Sequence, residues 1–457
     1  MSMPMIMGAF LLLGAITTGS QANPASQRTL LPTKASPSTG FSLEEKGKID
    51  FSDDIKLPSY SYVKAMTFSP DSRYLNTGIR FSTKESDKVA KGGEKPYHFE
   101  YGGRYITYDI GQINHPVEVE KTAIRHSFNY DNSFTPDGRH LVRIDEVGQI
   151  VIHNVEDIKH PAHVMTLPWQ NSIDDNKTTQ ASCVKVSSSG TFMVAGGRDG
   201  LIQIYNISDP KKPIKQSVIE TDYTLTDVAI SPDEKWMAFT GNGFRLMVYD
   251  LADLSNPKLL ATEKMPGDKP GHWSISVAIA PDSKWLAVAG YTFRHSLLLY
   301  DMQHPQKPVL TTVPEEITRP VSFVDISRDG KLMALGTLGK DSGVTIYNVA
   351  DPKEVKKADF IAANTGSCSG AFNPGKNELA LDLGDKEIGL FTYRYDLSSL
   401  GAEKPVEPDN PHLSKSYAIF QESVIVIMSV AAAVLLTVTG IAIHHFATRN
   451  KLKKLPL

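Results

Sequence analysis

VAISPDEKWM (Val228–Met237), followed shortly by LMVYDLADLSNP (Leu246–Pro257), is the pattern on which the fold turns. The first stretch is a short apolar strand that runs into a tight turn. Pro232 sets φ near about −65°, Asp233 can bond its own backbone, and the next residues close the turn. The second stretch opens as a strand with period-two apolar residues and ends in a loop rich in Asp and Pro.

Both stretches recur in one phase. The turn-bearing strand appears as MTFSPDSRYL (Met66–Leu75), NSFTPDGRHL (Asn132–Leu141), VKVSSSGTFM (Val184–Met193), VAISPDEKWM, VAIAPDSKWL (Val277–Leu286), VDISRDGKLM (Val324–Met333) and GAFNPGKNEL (Gly370–Leu379). Its turns start at Ser69, Thr135, Ser187, Ser231, Ala280, Ser327 and Asn373, spaced by 66, 52, 44, 49, 47 and 46 residues. The loop-ending strand starts at Tyr105, Ile150, Ile202, Leu246, Leu297 and Val344. A further strand lies between the two, as in FMVAGGRDG (Phe192–Gly200), and a fourth follows, as in IKQSVIE (Ile214–Glu220). Four strands in each unit of about 45 residues predict an all-β, seven-bladed β-propeller of four-stranded blades.

These units resemble WD-repeat and YVTN/LVIVD-type propellers in the SPDG-like turn, the IxIYD strand and the DPxKP exit loop. The resemblance covers roughly residues 48–397, without the Gly-His and Trp-Asp dipeptides of standard WD repeats. It implies a propeller architecture and says little about partners. Its YVTN side implies a propeller lactonase or hydrolase as the alternative to a binding module.

An unclosed ring leaves strand edges open to other chains. The seventh unit ends in EIGLFTYRYDL (Glu387–Leu397) with no fourth strand after it, while KIDFSDDI (Lys48–Ile55) is spare at the start. This N-terminal strand is expected to complete the last blade. Cys183 and Cys368, the only two cysteines, fall on first strands of units three and seven, too far apart to bridge. They read as buried thiols.

The two ends carry membrane signals. Residues 1–22 read as a signal peptide with an apolar run from Ile6 to Ile16, and 23–47 as a disordered linker. Residues 398–423 form a Pro-rich tether, and 424–443 form a charge-free transmembrane α-helix. At 1.5 Å rise per residue, about 20 residues span a bilayer. Arg449, Lys451, Lys453 and Lys454 make the tail 444–457 basic and assign it to the cytoplasm. The expectation is a single-pass membrane protein whose propeller is extracytoplasmic, on the periplasmic, lumenal or extracellular side.

The formal net charge of −3 gives no reason to expect nucleic acid as a partner. No GxSxG, HExxH, Walker-type or GxGxxG sequence occurs in a fitting context, and no catalytic residue, metal site or cofactor is assigned. His115, His160 and His304 sit in exit loops and read as turn residues rather than ligands. Tyr108, Tyr205, Tyr249, Tyr300 and Tyr347 repeat at one strand position, and Trp236 and Trp285 at another, as packing layers would. Asn176 and Asn206 open glycosylation sequons.

The expected function is a membrane-tethered scaffold that recognises a protein. Strand direction puts the SPDG-type turns and exit loops on one face, facing the membrane, and the remaining loops on the other. That outer face carries an insertion at 82–103, read as a long loop, and a polar loop that begins at Trp169. Its candidate partner-binding residues are Trp169, Trp273, His126, His272, Arg198, Tyr223, Arg294, Arg319, Lys95, Tyr97 and Phe99. A mixture of aromatic and Arg residues suits a protein-binding surface.

Overall fold

The computed structural model describes residues 41–52, 61–84, 99–123, 131–145, 148–169, 180–242, 245–264, 273–291, 296–312, 317, 319–338, 342–363, 369–384 and 386–395. The chain divides into two units, Met1–Ser36 with Leu43–Tyr393 and Pro37–Ser42 with Arg394–Leu457. The first holds the propeller. The described part of the second is the outer ends of the first and last strands.

Strand β1 (Phe41–Asp50) precedes the first full blade, formed by β2 (Ser61–Phe68), β3 (Tyr74–Lys84), β4 (Phe99–Asp109) and β5 (Val117–Lys121). Blade 2 contains β6 (Asn132–Phe134), β7 (His140–Ile144), β8 (Ile150–Asn154) and β9 (Ala162–Leu167). Blade 3 is β10 (Ala181–Val186), β11 (Phe192–Gly197), β12 (Leu201–Asn206) and β13 (Ile214–Glu220). Blade 4 is β14 (Leu225–Ile230), β15 (Trp236–Gly241), β16 (Arg245–Asp250) and β17 (Lys258–Lys264). In blade 5 come β18 (Trp273–Ile279), β19 (Trp285–Tyr291), β20 (Leu297–Asp301) and β21 (Val309–Thr312). Blade 6 has β22 (Val321–Ile326), β23 (Leu332–Thr337), β24 (Gly343–Asn348) and β25 (Lys356–Ala362). Blade 7 has β26 (Gly370–Phe372), β27 (Glu378–Gly384) and β28 (Glu387–Tyr395), and β1 joins it beyond β28. The all-β, seven-bladed expectation holds, four strands to a blade.

The closing strand begins at Phe41, not at Lys48, so part of the stretch read as linker is structured. Glu44, Glu45, Lys46 and Lys48 hide the strand, because an edge strand has little to bury and its alternation is mostly polar. Phe51 N–H donates to Lys386 O (3.0 Å), and Lys48 pairs with Glu387 (3.2 Å). The insertion at 82–103 is likewise not all loop. Ser82, Thr83 and Lys84 pair with Tyr101, Glu100 and Phe99, extending the β3–β4 hairpin.

Burial explains the strand sequences. Every residue of β11, β15 and β23 is buried, while β13 and β17 are largely exposed. Second and third strands are covered on both faces by neighbouring blades, so they read as near-continuous apolar runs. The core therefore lies in seams. One cluster joins Trp236, Ala238 and Val248 of blade 4 to Leu286, Val288 and Tyr300 of blade 5. Another joins Trp285 and Leu297 of blade 5 to Met333, Leu335 and Tyr347 of blade 6. Trp236 and Trp285 are the packing residues their spacing predicts, and the five repeated tyrosines are buried.

The SPDG-type turn has a local cause. Its fourth residue has positive φ in blades 1 to 6: Ser72 (62°), Gly138 (70°), Gly190 (72°), Glu234 (57°), Ser283 (60°) and Gly330 (71°). Glycine adopts that region without steric cost, which is why it recurs there. Where another residue stands, its side chain bonds the preceding blade's turn. Glu234 accepts from Ser189 N–H, Ser283 accepts from Asp233 N–H (3.2 Å), and Ser72 donates to Asn373 Oδ1. His115, His160 and His304 take part in backbone turns of the exit loops, as expected.

Among the described residues no helix is long and apolar enough to cross a membrane. Residues 1–40, 396–457 and Cys368 lie outside them, so the signal, tether, transmembrane and tail expectations fall there. Cys183 is a buried free thiol, pushed well up by desolvation.

Candidate interaction face and central channel

The first strands line a central channel that encloses a cavity of about 400 Å³. Lys64, Asp131, Ser182, Lys185, Asp227 and Asp325 are on its wall. Five of the seven first strands are irregular near their entry. Register breaks between Val63 and Ala65, Ala181 and Cys183, Leu225 and Asp227, Ser274 and Ser276, and Val321 and Phe323. Such bulges re-aim one residue and leave nearby backbone groups without ladder partners.

Those groups are met from the neighbouring blade. Asp131 of blade 2 accepts Val184 N–H of blade 3 (2.8 Å), and Asp227 of blade 4 accepts Val277 N–H of blade 5 (2.9 Å). Asp325 of blade 6 accepts Phe372 N–H of blade 7 (2.8 Å). Asp382 of blade 7 accepts Val63 N–H of blade 1 (3.1 Å), which ties the ring shut. The second oxygen of each accepts a local N–H: Asn132, Val228, Ile326 and Gly384 respectively. Serines serve two more seams, Ser182 donating to Leu225 O (2.8 Å) and Ser276 accepting Val324 N–H (3.4 Å).

Burial pushes Asp131 up to about 6 and Asp382 up to about 7, against the pull of their N–H donors. Asp227 and Asp325 are raised for the same reason. A carboxylate with both oxygens engaged by backbone N–H is a structural clasp. Sequence reading singled out none of these acids. A signal was present: Asp131, Asp227 and Ser276 each stand four residues before their turn residues Thr135, Ser231 and Ala280.

The seam between blades 1 and 2 is built differently. Asn132 donates to Asn76 (2.8 Å), Asn76 to Thr107 (2.8 Å), and Thr107 to Glu120 (2.8 Å). Arg143, 3% exposed, donates to Glu120 Oε2 (2.8 Å) and lies over the Tyr105 ring (5.0 Å). Burial first, then Arg143, pushes the nearby His153 down to about 4.

The candidate partner residues divide sharply. Trp169 is not a surface anchor. It is 6% exposed in the seam between blades 2 and 3, and its Nε1–H donates to Asp199 Oδ2 (2.8 Å). A Cβ on Gly197 would lie 2.5 Å from the Trp169 ring, so the glycine is what admits it. A large ring at a loop entrance reads alike in sequence whether it faces solvent or a seam. Arg198 and Arg319 are exposed, and Tyr223 is half-buried under Arg245 (4.9 Å). All three lie in connections at the channel-entry end of the strands, between β11 and β12, β21 and β22, and β13 and β14. Trp273 starts β18 opposite Tyr291, and Phe99 starts β4 opposite Lys84. His126, His272, Arg294, Lys95 and Tyr97 lie outside the described residues, as does sequon Asn176. Asn206 ends β12, and its Oδ1 accepts Ser208 N–H (3.0 Å).

At the channel mouth three cations stand at related positions. Arg80 pairs with Tyr62 across β2 and β3 and lies over its ring (5.8 Å). Arg198 follows Gly197 in blade 3 as Arg80 follows Ile79 in blade 1, since Gly197 pairs with Ala181 and Ile79 with Val63. Lys64 is the bulged residue of β2 and lines the cavity. Desolvation first lowers Lys64 and Arg198; at Lys64, Asp131 and Asp227 oppose it, and Arg80 lowers both groups further. Both side chains are nonetheless open to solvent, so the ring crowds them without covering them.

Comparison with known proteins agrees with this architecture. Residues 170–206, which span the first three strands of blade 3, match the family model for the WD domain, G-beta repeat. Protein HIR1 of Candida albicans is 18% identical over 260 residues, covering 50% of this chain and 24% of that protein. The β-propeller domain of Cps50 (Swd1) from Myceliophteria thermophila superposes with a TM-score of 0.55 at 11% identity. That match covers 77% of this chain and 99% of the other. In its seven four-stranded blades and its one matching repeat, the chain is similar to WD40-like β-propellers.

Proposed function

We propose that this protein is a membrane-tethered, extracytoplasmic scaffold that recognises a protein partner at the channel-entry face of its propeller. One observation carries the reading: the acids of the channel wall are engaged by backbone N–H groups, and Arg198 and Arg319 have solvent-exposed side chains on the entry face. A propeller hydrolase would need channel acids available to substrate, and Asp131, Asp227 and Asp325 have both oxygens engaged. The matching repeat supports a protein-interaction role. The charge-free segment 424–443 and the basic residues after it support the tether and its orientation.

A photo-crosslinking residue placed at Arg198 or Arg319 in the full-length chain, in sealed cells, tests the reading. Protein adducts should form there and be lost when protease is added outside. Adducts confined to Lys211 and Lys307, on the opposite face, would reverse the face. Adducts shielded from external protease would reverse the topology.

A further inference from the structure

The exit-loop rim of blades 3, 4 and 5 is both apolar and basic, and we infer that it rests on the anionic phospholipid headgroups of the membrane that holds the tether. The inference goes beyond the recognition role but relies on the tether proposed with it. Fourth strands are the outermost of blades 1 to 6, and their first residues follow the exit loops. There Ile214 of blade 3 is 60% exposed, Leu259 of blade 4 is 54% and Val309 of blade 5 is 51%, with Leu310 beside it. Register makes the positions equivalent. Ile214 pairs with Asn206 as Val309 does with Asp301, and Leu259 pairs with Tyr249 as Leu310 does with Tyr300. Scattered apolar residues are ordinary, whereas recurrence at one place on three consecutive blades makes a patch.

Lysines follow the same blades. Lys211, Lys212, Lys258 and Lys307 are exposed in these exit loops or just after them. The acids at that end, Asp209, Asp250, Asp253 and Asp301, each accept a loop N–H. The corresponding stretches of blades 1 and 2 hold one base, Lys159, against Glu118, Glu156 and Asp157. Val117 of blade 1 is as exposed, at 57%, but has Glu118 at its side. Exposed apolar side chains among lysines suit a bilayer interface: the apolar groups enter the headgroup boundary and the ammonium groups meet its phosphates. Protein-binding surfaces are instead depleted in Lys. The chain also leaves blade 7 at this end. Tyr393 N–H donates to Asn377 O (3.0 Å) as Leu251 N–H, after β16, does to Lys235 O (2.9 Å), and the charge-free segment 424–443 comes later in the chain. An anchor in the same chain makes the contact intramolecular, so a weak surface suffices.

The test uses the full-length chain in phosphatidylcholine vesicles with and without phosphatidylglycerol. An NBD label is placed singly at Leu259→Cys, Val309→Cys or Val117→Cys, and its quenching by lipid with a nitroxide headgroup is read. Unsubstituted protein controls for labelling of native thiols. With phosphatidylglycerol present, the labels at Leu259 and Val309 should be quenched, and the label at Val117, across the ring from blade 4, should not. Lys211→Gln and Lys307→Gln should each lower the ratio of quenched to unquenched Leu259 label about fivefold, the attraction of one Lys to an anionic surface. Equal quenching at all three positions, or none at Leu259 and Val309, overturns the contact. A blue shift at Leu259 that follows protein density and not lipid composition gives the patch to a second copy and overturns it as well. Quenching of a chain that alkaline carbonate strips from the vesicles would keep the contact and sink the tether. A carbonate-resistant chain with no quenching at Leu259 would do the reverse.

Discussion

The wall of the channel and its mouth hold opposite charges put to opposite uses. Asp131, Asp227 and Asp325 on the wall, and Asp382 buried behind it on β27, each reach across a seam to a backbone N–H and spend the other oxygen nearby. At the mouth, Lys64 and Arg198 remain open to solvent, and Arg80 is held against Tyr62. The difference teaches that charge in a propeller channel does not by itself mark a site. A buried carboxylate that satisfies two donors holds the ring, whereas a cation left facing solvent can meet a partner. If this division is right, changes to the wall act on stability and changes to the mouth act on binding.

The largest effect should come from opening the ring. Removing residues 41–50 exposes the β28 edge and strips blade 7 of its fourth strand. Size-exclusion chromatography and thermal melting should show aggregation and loss of the cooperative transition. Removing residues 23–40 instead should leave the melting temperature unchanged. Equal behaviour of the two truncations would mean that β1 does not close the ring.

A smaller effect follows from the seam acid of blade 7. Asp382 titrates at about 7 in the folded chain, against near 4 for a free aspartate. Between those values the folded state keeps a proton that the unfolded chain has released, so its contribution to stability falls as pH rises. It is fullest below about pH 4 and is lost through about pH 7. His153, held down at about 4, acts in the opposite sense up to about pH 6.5, so the comparison must be made between proteins. From pH 5 to 8 the wild type should lose on the order of 3 °C of melting temperature relative to Asp382→Asn, which cannot titrate there. Parallel curves would place the Asp382 carboxyl at an ordinary value.

Much of the ring was legible because its turns are chemically constrained. A residue with positive φ closes the turn in blades 1 to 6, a Pro-Asp pair precedes it in blades 1, 2, 4 and 5, and this recurrence sets the phase of the units. The Tyr layer and the Trp236 and Trp285 positions were legible for the same reason, since equivalent seams demand equivalent bulk. The start of β1 was not, because Glu and Lys on an edge strand resemble a linker. Trp169 was misread because a seam and a surface are equally compatible with an aromatic at a loop entrance. The clasps were invisible as clasps: their donors are backbone N–H groups, which no residue type marks in the sequence. Arg198 was a candidate from sequence, but its equivalence to Arg80 was hidden. Only the register of blades 1 and 3 makes them equivalent, and their spacing in sequence carries no hint of it.

Thermal melting of the wild type, Asp227→Ala and Arg198→Ala, each paired with its yield of partner crosslinked at Arg319, tests the division most directly. Asp227→Ala leaves Val277 and Val228 N–H without their acceptor, at a cost of about 3 kcal/mol, and should melt several degrees lower. It should still capture the partner. Arg198→Ala should melt with the wild type and capture less. Asp227→Ala melting with the wild type, or Arg198→Ala melting low while keeping the wild-type adduct yield, would contradict the account.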